Sequence, residues 1–530
     1  TRWTSIDNFT NIPQDLAFCL SGSIVEDNVI HVPEDYETIQ EALNIANEGD
    51  TVLVASGTYY ENITWPTTNS IKLIGSGEED CIIDGNHTAS VIRFEEDLNG
   101  IINTTTLISD FTITNGYAQG GSPNPYGGGI YLDDSNPSLV DVTITGNLAT
   151  SSGGGIYLDD SDPSLENVTI SNNSASSGGG IYCSSSSPSL AIVTISNNSA
   201  SSGGGIYCSS SSPSLAIVTI SNNSASSGGG IYCRDNSSPS LANVTISNNF
   251  ADFSGGGIYC FYNSSPSLEN VTITGNSAYL GGGISCYQSS SPSLENVTIS
   301  NNSASSDGGG IFCGFSSSPS LVNCILWNDA PQEVYFREDY GPNSIMIAYS
   351  DIQGGEAGIV TNDNGTVYWE YGNLDLDPFF TDPENGDYHL TENSPCIDAG
   401  TAFFVFEGDT LVNMSEDEYY GTAPDMGAFE YDGTVDNDYE LEITNYELGN
   451  AYPNPFNPST TISYAVETNG RLSLQIYNIT GQLIETLVNE QVEAGYHTVV
   501  WFAENQPSGI YFAKLVAGDF TKTQKLVLLK

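Results

Sequence analysis

Two stretches of this 530-residue chain carry carboxylates at matching places: YLDDSNPS at 131–138 and YLDDSDPS at 157–164. Aligned, they set Asp133 beside Asp159, Asp134 beside Asp160, and Asn136 beside Asp162. Like charges held side by side repel, and a hard divalent cation with oxygen ligands relieves the repulsion. Calcium is the cofactor these residues suggest; none is required, because turn carboxylates also splay into water. A second pattern is aromatic: Tyr131, Tyr157, Tyr182, Tyr207, Tyr232, Tyr259 and, after Ser285, Phe312. An outward stripe of rings could hold a sugar or pack against a neighbouring molecule, or stack only on itself. A third is hydroxylic, running from Thr143/Thr145 to Thr298/Ser300, a lattice that exposed strands also favour for their own sake. The four His (31, 87, 389 and 497) are scattered, which argues against a His metal centre.

What positions these residues is a repeat. Residues 178–202 and 203–227 are the same twenty-five letters, GGGIYCSSSSPSLAIVTISNNSASS. Triple glycines begin at 127, 153, 178, 203, 228, 255, 281 and 308, at intervals of 25–27 residues. That period is the mark of a solenoid. Ile-Tyr-Cys and Val-Thr-Ile alternate with period two and read as strands, separated by Gly, Ser, Asn and Pro turns. Stacked coil on coil, Ile130 and its equivalents point inward. So do Cys183, Cys208, Cys233, Cys260, Cys286 and Cys313, at a place held by Leu132 and Leu158 in the first two coils. A column of small buried thiols is the simplest reading; disulfides between in-register coils have poor Cβ geometry. Asn147, Asn173, Asn198, Asn223, Asn249, Asn276 and Asn302 recur in the turns, where inward amides can hydrogen-bond along the stack.

Asp and Glu total 65 against 10 Lys and Arg, a net charge of −55 with only 14% charged residues. Such a field repels nucleic acid and anionic membrane. No run of eighteen apolar residues exists to span a bilayer. The opening TRWTSIDNFT lacks a basic, then apolar leader, so a secreted form is expected to have lost its signal peptide already.

The repeat resembles the right-handed parallel β-helix proteins of the pectate-lyase-like superfamily. DYETIQEALNIANEGDTVLVAS (35–56) strengthens this. It looks like the helix that closes the N-terminal mouth of such a coil, with Asp35 able to cap it and Ile39, Leu43 and Ala46 on one face. NLDLDPFFTDPENGDYHLTENSPCIDAG (373–400) and APDMGAFEY (423–431) resemble the final coils of secreted bacterial members. The resemblance implies a fold that hosts lyases, hydrolases, adhesins and passive rods. The lyases and hydrolases of that superfamily need a basic residue or a His beside their carboxylates. From 127 to 330 the chain has one Arg, Arg234, and no Lys or His. No catalytic residue is therefore assigned, although carboxylates alone can perform acid–base chemistry.

After the acidic stretch DGTVDNDYELEITN come about seven short alternating strands, the pattern of an Ig-like sandwich. Pro453-Asn454-Pro455, Gly495, Trp501, Ser508-Gly509-Ile510-Tyr511 and the run Lys525–Lys530 resemble the type A sorting domain of the type IX secretion system. That resemblance implies export to the cell surface of a Bacteroidetes-like bacterium, with the type IX machinery as partner.

The expected architecture is all-β. It has an N-terminal segment 1–30, a cap and first coils 31–126, regular repeats 127–330, terminal coils and cap 331–431, an acidic linker 432–445 and an Ig-like sandwich 446–530. The expected function is a secreted, non-catalytic rod, structural or adhesive, with self-association through the Tyr stripe. Polysaccharide binding or cleavage is the alternative.

Overall fold

The computed structural model describes residues 28–95, 101–121, 123–433, 447–448, 459–466, 470–478, 482–492, 495–503, 506–517 and 520–528. The N-terminal segment through residue 27, the linker from 434 onward and the Pro453-Asn454-Pro455 motif lie outside them. The chain divides into two compact units, 1–433 and 434–530.

The first unit is a right-handed parallel β-helix. The regular coils lay Ile-Tyr-Cys or its equivalent in one long parallel sheet of 11 strands and the run Ser-Leu-x-x-Val-Thr-Ile-Ser or its equivalent in another of 19. Register is one coil to the next: Ile181 pairs Ile206, and Leu190 pairs Leu215. The alternation explains the core, since Ile170, Ile195, Ile220 and Ile246 are fully buried. The eight-residue runs turn a corner at one residue with positive φ, such as Asn167 or Asn270. Asn tolerates that left-handed geometry best after Gly. The triple glycines are demanded by close approach: a Cβ on Gly154 would sit 2.4 Å from the Gly179 carbonyl oxygen.

At the N-terminal end the helix Ile39–Ile45 buries Ile39, Ala42 and Leu43 in the same core as the first coils. Its cap is Thr38, whose side chain accepts from the Glu41 N–H, and not Asp35. Asp35 accepts from the His31 N–H instead. Glu61, from the next coil, accepts the Ile39 and Gln40 N–H groups at 2.9 Å each. A carboxylate there complements the positive end of the helix.

The coils continue to Gly365–Trp369 and a bridge at Leu374. The segment that follows does not add coils over 375–400 as expected. It forms antiparallel hairpins, Phe380–Asp382 with Asp387–Leu390 and Phe403–Phe406 with Asp409–Asn413, that fold back over the sheet face. Tyr388 Oη accepts from Asn301 Nδ2, and the Ala428 N–H donates to Thr298 Oγ1 at 3.0 Å. The second unit is antiparallel, with sheets of three and four strands around Trp501, Leu474, Leu515 and Tyr511, consistent with a β-sandwich. No helix among the described residues is long and apolar enough to cross a membrane.

Candidate functional site

The columns the repeat creates are the first place to look for chemistry. Tyr131, Tyr157, Tyr182, Tyr207, Tyr232 and Tyr259 line up in register with ring centroids 4.9–5.4 Å apart, stacked except for the edge-on pair Tyr207–Tyr232. Ser285 and Phe312 continue the column. The rings leave the coil on its outer side, as expected, but they are not an open stripe. Tyr131 is 3% exposed, Tyr232 8% and Phe312 1%, with only Tyr182 half-buried. Three contacts close it. The left-handed glycine that opens each triplet packs on the ring's base, so that a Cβ on Gly153 would lie 2.7 Å from Tyr157 Cβ. Tyr126 stacks on Tyr157 at 4.7 Å, and Arg93 sits 4.0 Å over Tyr131. The stripe therefore offers no ring face to a sugar or a neighbour along most of its length.

The aspartates are likewise engaged at home. Asp133 and Asp159 are paired neighbours, but Tyr131 Oη donates to Asp133 Oδ2 at 2.9 Å and Tyr157 Oη to Asp159 Oδ2 at 3.4 Å. Asp162 accepts the Ser187 N–H, and its own N–H donates to Asn136 Oδ1. Asp134 and Asp160 occupy the left-handed turn position. Among the described residues no group of three or more carboxylate, His or Cys side chains is arranged to hold a metal ion, here or elsewhere. Calcium takes six to eight oxygens, so this donor set does not fit it.

Two inner columns run along the coil. Cys183, Cys208, Cys233, Cys260, Cys286 and Cys313 are buried free thiols stacked in register. Each Asn amide from Asn147 to Asn276 donates Nδ2 to the Oδ1 of the next, at 3.0–3.1 Å. Each also donates to an Ile backbone carbonyl of an earlier coil, as Asn223 does to Ile195 at 2.9 Å. The hydroxyl lattice is open at Thr194 and Thr219. It closes at Thr272 and Thr298 under the folded-back segment.

One groove was not anticipated. It lies on the outer face of the long sheet and is lined by Ala242, Glu269, Ser293, Glu295, Val322 and, from the returning hairpin, Leu411. Glu269 and Glu295 are paired neighbours. Burial raises the Glu295 carboxyl to about 7, helped by the charges of Glu269 and Glu418. The signal in the sequence is SLEN repeated at 267–270 and 293–296, a carboxylate in consecutive coils. What it lacked was the wall, which arrives more than a hundred residues later. The groove holds about 140 Å³, below the ~300 Å³ at which small-molecule sites begin.

Comparison with known proteins agrees with the geometry. A family model described as right handed beta helix region matches residues 55–219 and 194–326. A second, the secretion system C-terminal sorting domain, matches 450–529. That domain marks the protein for type IX secretion to the cell exterior or surface of a Bacteroidetes-like bacterium. No curated protein matches the chain. Among solved structures, a pectate lyase, Pel9A, aligns over 76% of this chain and 96% of its own at 13% identity and a TM-score of 0.33, too distant a likeness to carry an activity across. With a family match over residues 55–326, more than half of the chain, and its in-register parallel sheets, the chain belongs to the right-handed β-helix family.

Proposed function

We propose that this secreted protein is a non-catalytic surface rod, structural or adhesive in role. The observation that carries the reading is how the repeated side chains are used. The Asn amides bond to one another and to backbone carbonyls, and the Tyr rings stack on one another. Ser186, Ser211 and Ser237 form a further internal ladder of Oγ acceptors and backbone N–H donors. The functional groups that repetition multiplies hold coil to coil instead of facing a ligand.

A second reading rests on the groove. Glu269 and Glu295 stand opposite each other on adjacent parallel strands whose backbones are roughly 5 Å apart, which lets their carboxyls take the spacing of a retaining glycosidase pair. One of them, Glu295, is poised to keep its proton near neutrality. The deciding experiment incubates the exported protein with neutral and acidic glycans and assays reducing ends and unsaturated sugars. The rod reading expects no product. Release that disappears in Glu295→Gln would establish the enzyme reading in its place.

A further inference from the structure

The amide column ends on a changed residue. Where an eighth Asn would stand the chain has Asp329, whose Oδ1 accepts from Asn302 N at 2.7 Å and Nδ2 at 2.9 Å. Four residues on, Glu333 Oε1 accepts the Asp329 N–H at 3.0 Å. The remaining oxygens, Asp329 Oδ2 and Glu333 Oε2, are buried without a donor. The two side chains are neighbours, close enough for the Asp329 charge to act on Glu333, and their residues are only 6% and 5% exposed. Gly310 makes the space, since a Cβ there would come within 2.8 Å of Asp329 Oδ2.

Buried carboxylate oxygens with no donor are costly, and two adjacent buried charges are worse. One proton between them removes both problems. The column also says where the charge should rest. Every amide from Asn147 to Asn302 donates in the same direction, toward Asp329. Aligned donors polarise one another and end in a positive pole, which favours the anion on Asp329 and leaves the proton to Glu333.

We infer that Asp329 and Glu333 share a single proton, carried on Glu333 and donated to Asp329 Oδ2, and that this pair locks the last regular coil onto the amide column. Among the described residues the only titratable group facing each carboxyl is the other; the flanking Asn302, Gly310 and Gln332 are neutral. Burial raises both carboxyls, and the Asp329 charge raises Glu333 further. The sign follows. A group whose folded value lies above its unfolded value stabilises fully below the unfolded value, and that stability is lost as pH rises toward the folded one. Here the folded coil keeps a proton that the unfolded chain has released above the ordinary Glu value. Its closing equilibrium therefore weakens about tenfold per pH unit.

The test compares the full chain with Glu333→Gln, whose amide can donate to Asp329 Oδ2 and has no proton to lose. Hydrogen exchange is read at the Asn302, Ile311 and Asp329 amides from pH 6 to 9, both proteins at each pH. The expected result is that protection in the parent protein falls relative to Glu333→Gln by about tenfold per unit, on the order of a thousandfold across the range. Parallel profiles would overturn the inference. So would a stoichiometric metal whose chelation opens the coil, because a cation would then stand in the proton's place. If Glu333→Gln does not fold, the infrared band of a protonated carboxylic acid in the parent protein at pH 8 decides, and its absence refutes the shared proton.

Discussion

Asn223 stands in the middle of the amide column, and Asn223→Ala tests whether the column holds the coils together. The side chain is wholly buried. Its Oδ1 accepts from Asn198 N and Nδ2, each at 3.0 Å, and its Nδ2 donates to the Ile195 carbonyl at 2.9 Å and to Asn249 Oδ1 at 3.0 Å. Truncation leaves Asn198 Nδ2 a partner in the Ile170 carbonyl, and Asn249 Oδ1 keeps the Asn223 N–H. The Asn198 N–H loses its acceptor and the Ile195 carbonyl loses this donor. Each such buried group costs about 1–3 kcal/mol, so the substitution should cost about 2–6 kcal/mol. Exposed Ser199→Ala should stay within about 0.5 kcal/mol. Urea unfolding gives the totals, and hydrogen exchange should show the damage centred on the coils bearing Asn198 and Asn249, because a solenoid couples neighbours only. If Asn223→Ala unfolds within about 0.5 kcal/mol of the parent, the column is not what joins the coils.

Other expectations follow from the same ladders. Ile192 and Ile217 are exposed β-branched residues at φ 55° and 56°, in the corner position that other coils fill with Asp141, Asn167, Asn243 or Asn270. Asn at either place should raise stability by about 1 kcal/mol through relief of left-handed strain, and a loss in denaturant titration would contradict the strain. Glu295 should titrate near 7 in the folded protein, so its contribution to stability is present below the ordinary Glu value and lost as pH rises through 7. A midpoint near the unperturbed Glu value, read by NMR, would remove the groove's special character. Tyr207→Ser should cost about 2–4 kcal/mol by emptying a buried place in the ring column, with unfolding by circular dichroism as the check and no change as the refutation.

The coil itself was legible because its signals recur at a fixed interval. Ile and Cys at constant offsets from the triple glycines, and Asn at nearly constant ones, specify which side chains stack, and the fold places them in those columns. Accessibility was not legible. The Tyr column points outward as the alternation requires, but glycine backbone packs on the base of each ring, a tertiary contact that leaves no periodic trace. The groove escaped for a related reason: Glu269 and Glu295 are visible in SLEN repeats, whereas Leu411 belongs to a hairpin far along the chain. The helix cap moved from Asp35 to Thr38 because His31 captures the Asp35 carboxylate. Asp329 and Glu333 are readable only as a departure from the repeat, which is where a regular sequence carries its information.

The most direct test of the central claim is electron microscopy of the full chain recovered from the cell exterior, with a chain lacking residues 446–530 expressed alongside. The account predicts that the full chain reaches the surface as rigid rods and that the shortened chain stays inside the cell. Fourteen strands stack from Val29–Val32 to Gly365–Trp369, which at ~4.8 Å per step makes the coil roughly 60 Å long. A full chain retained within the cell, or exported as particles without a rod of about that length, would contradict it.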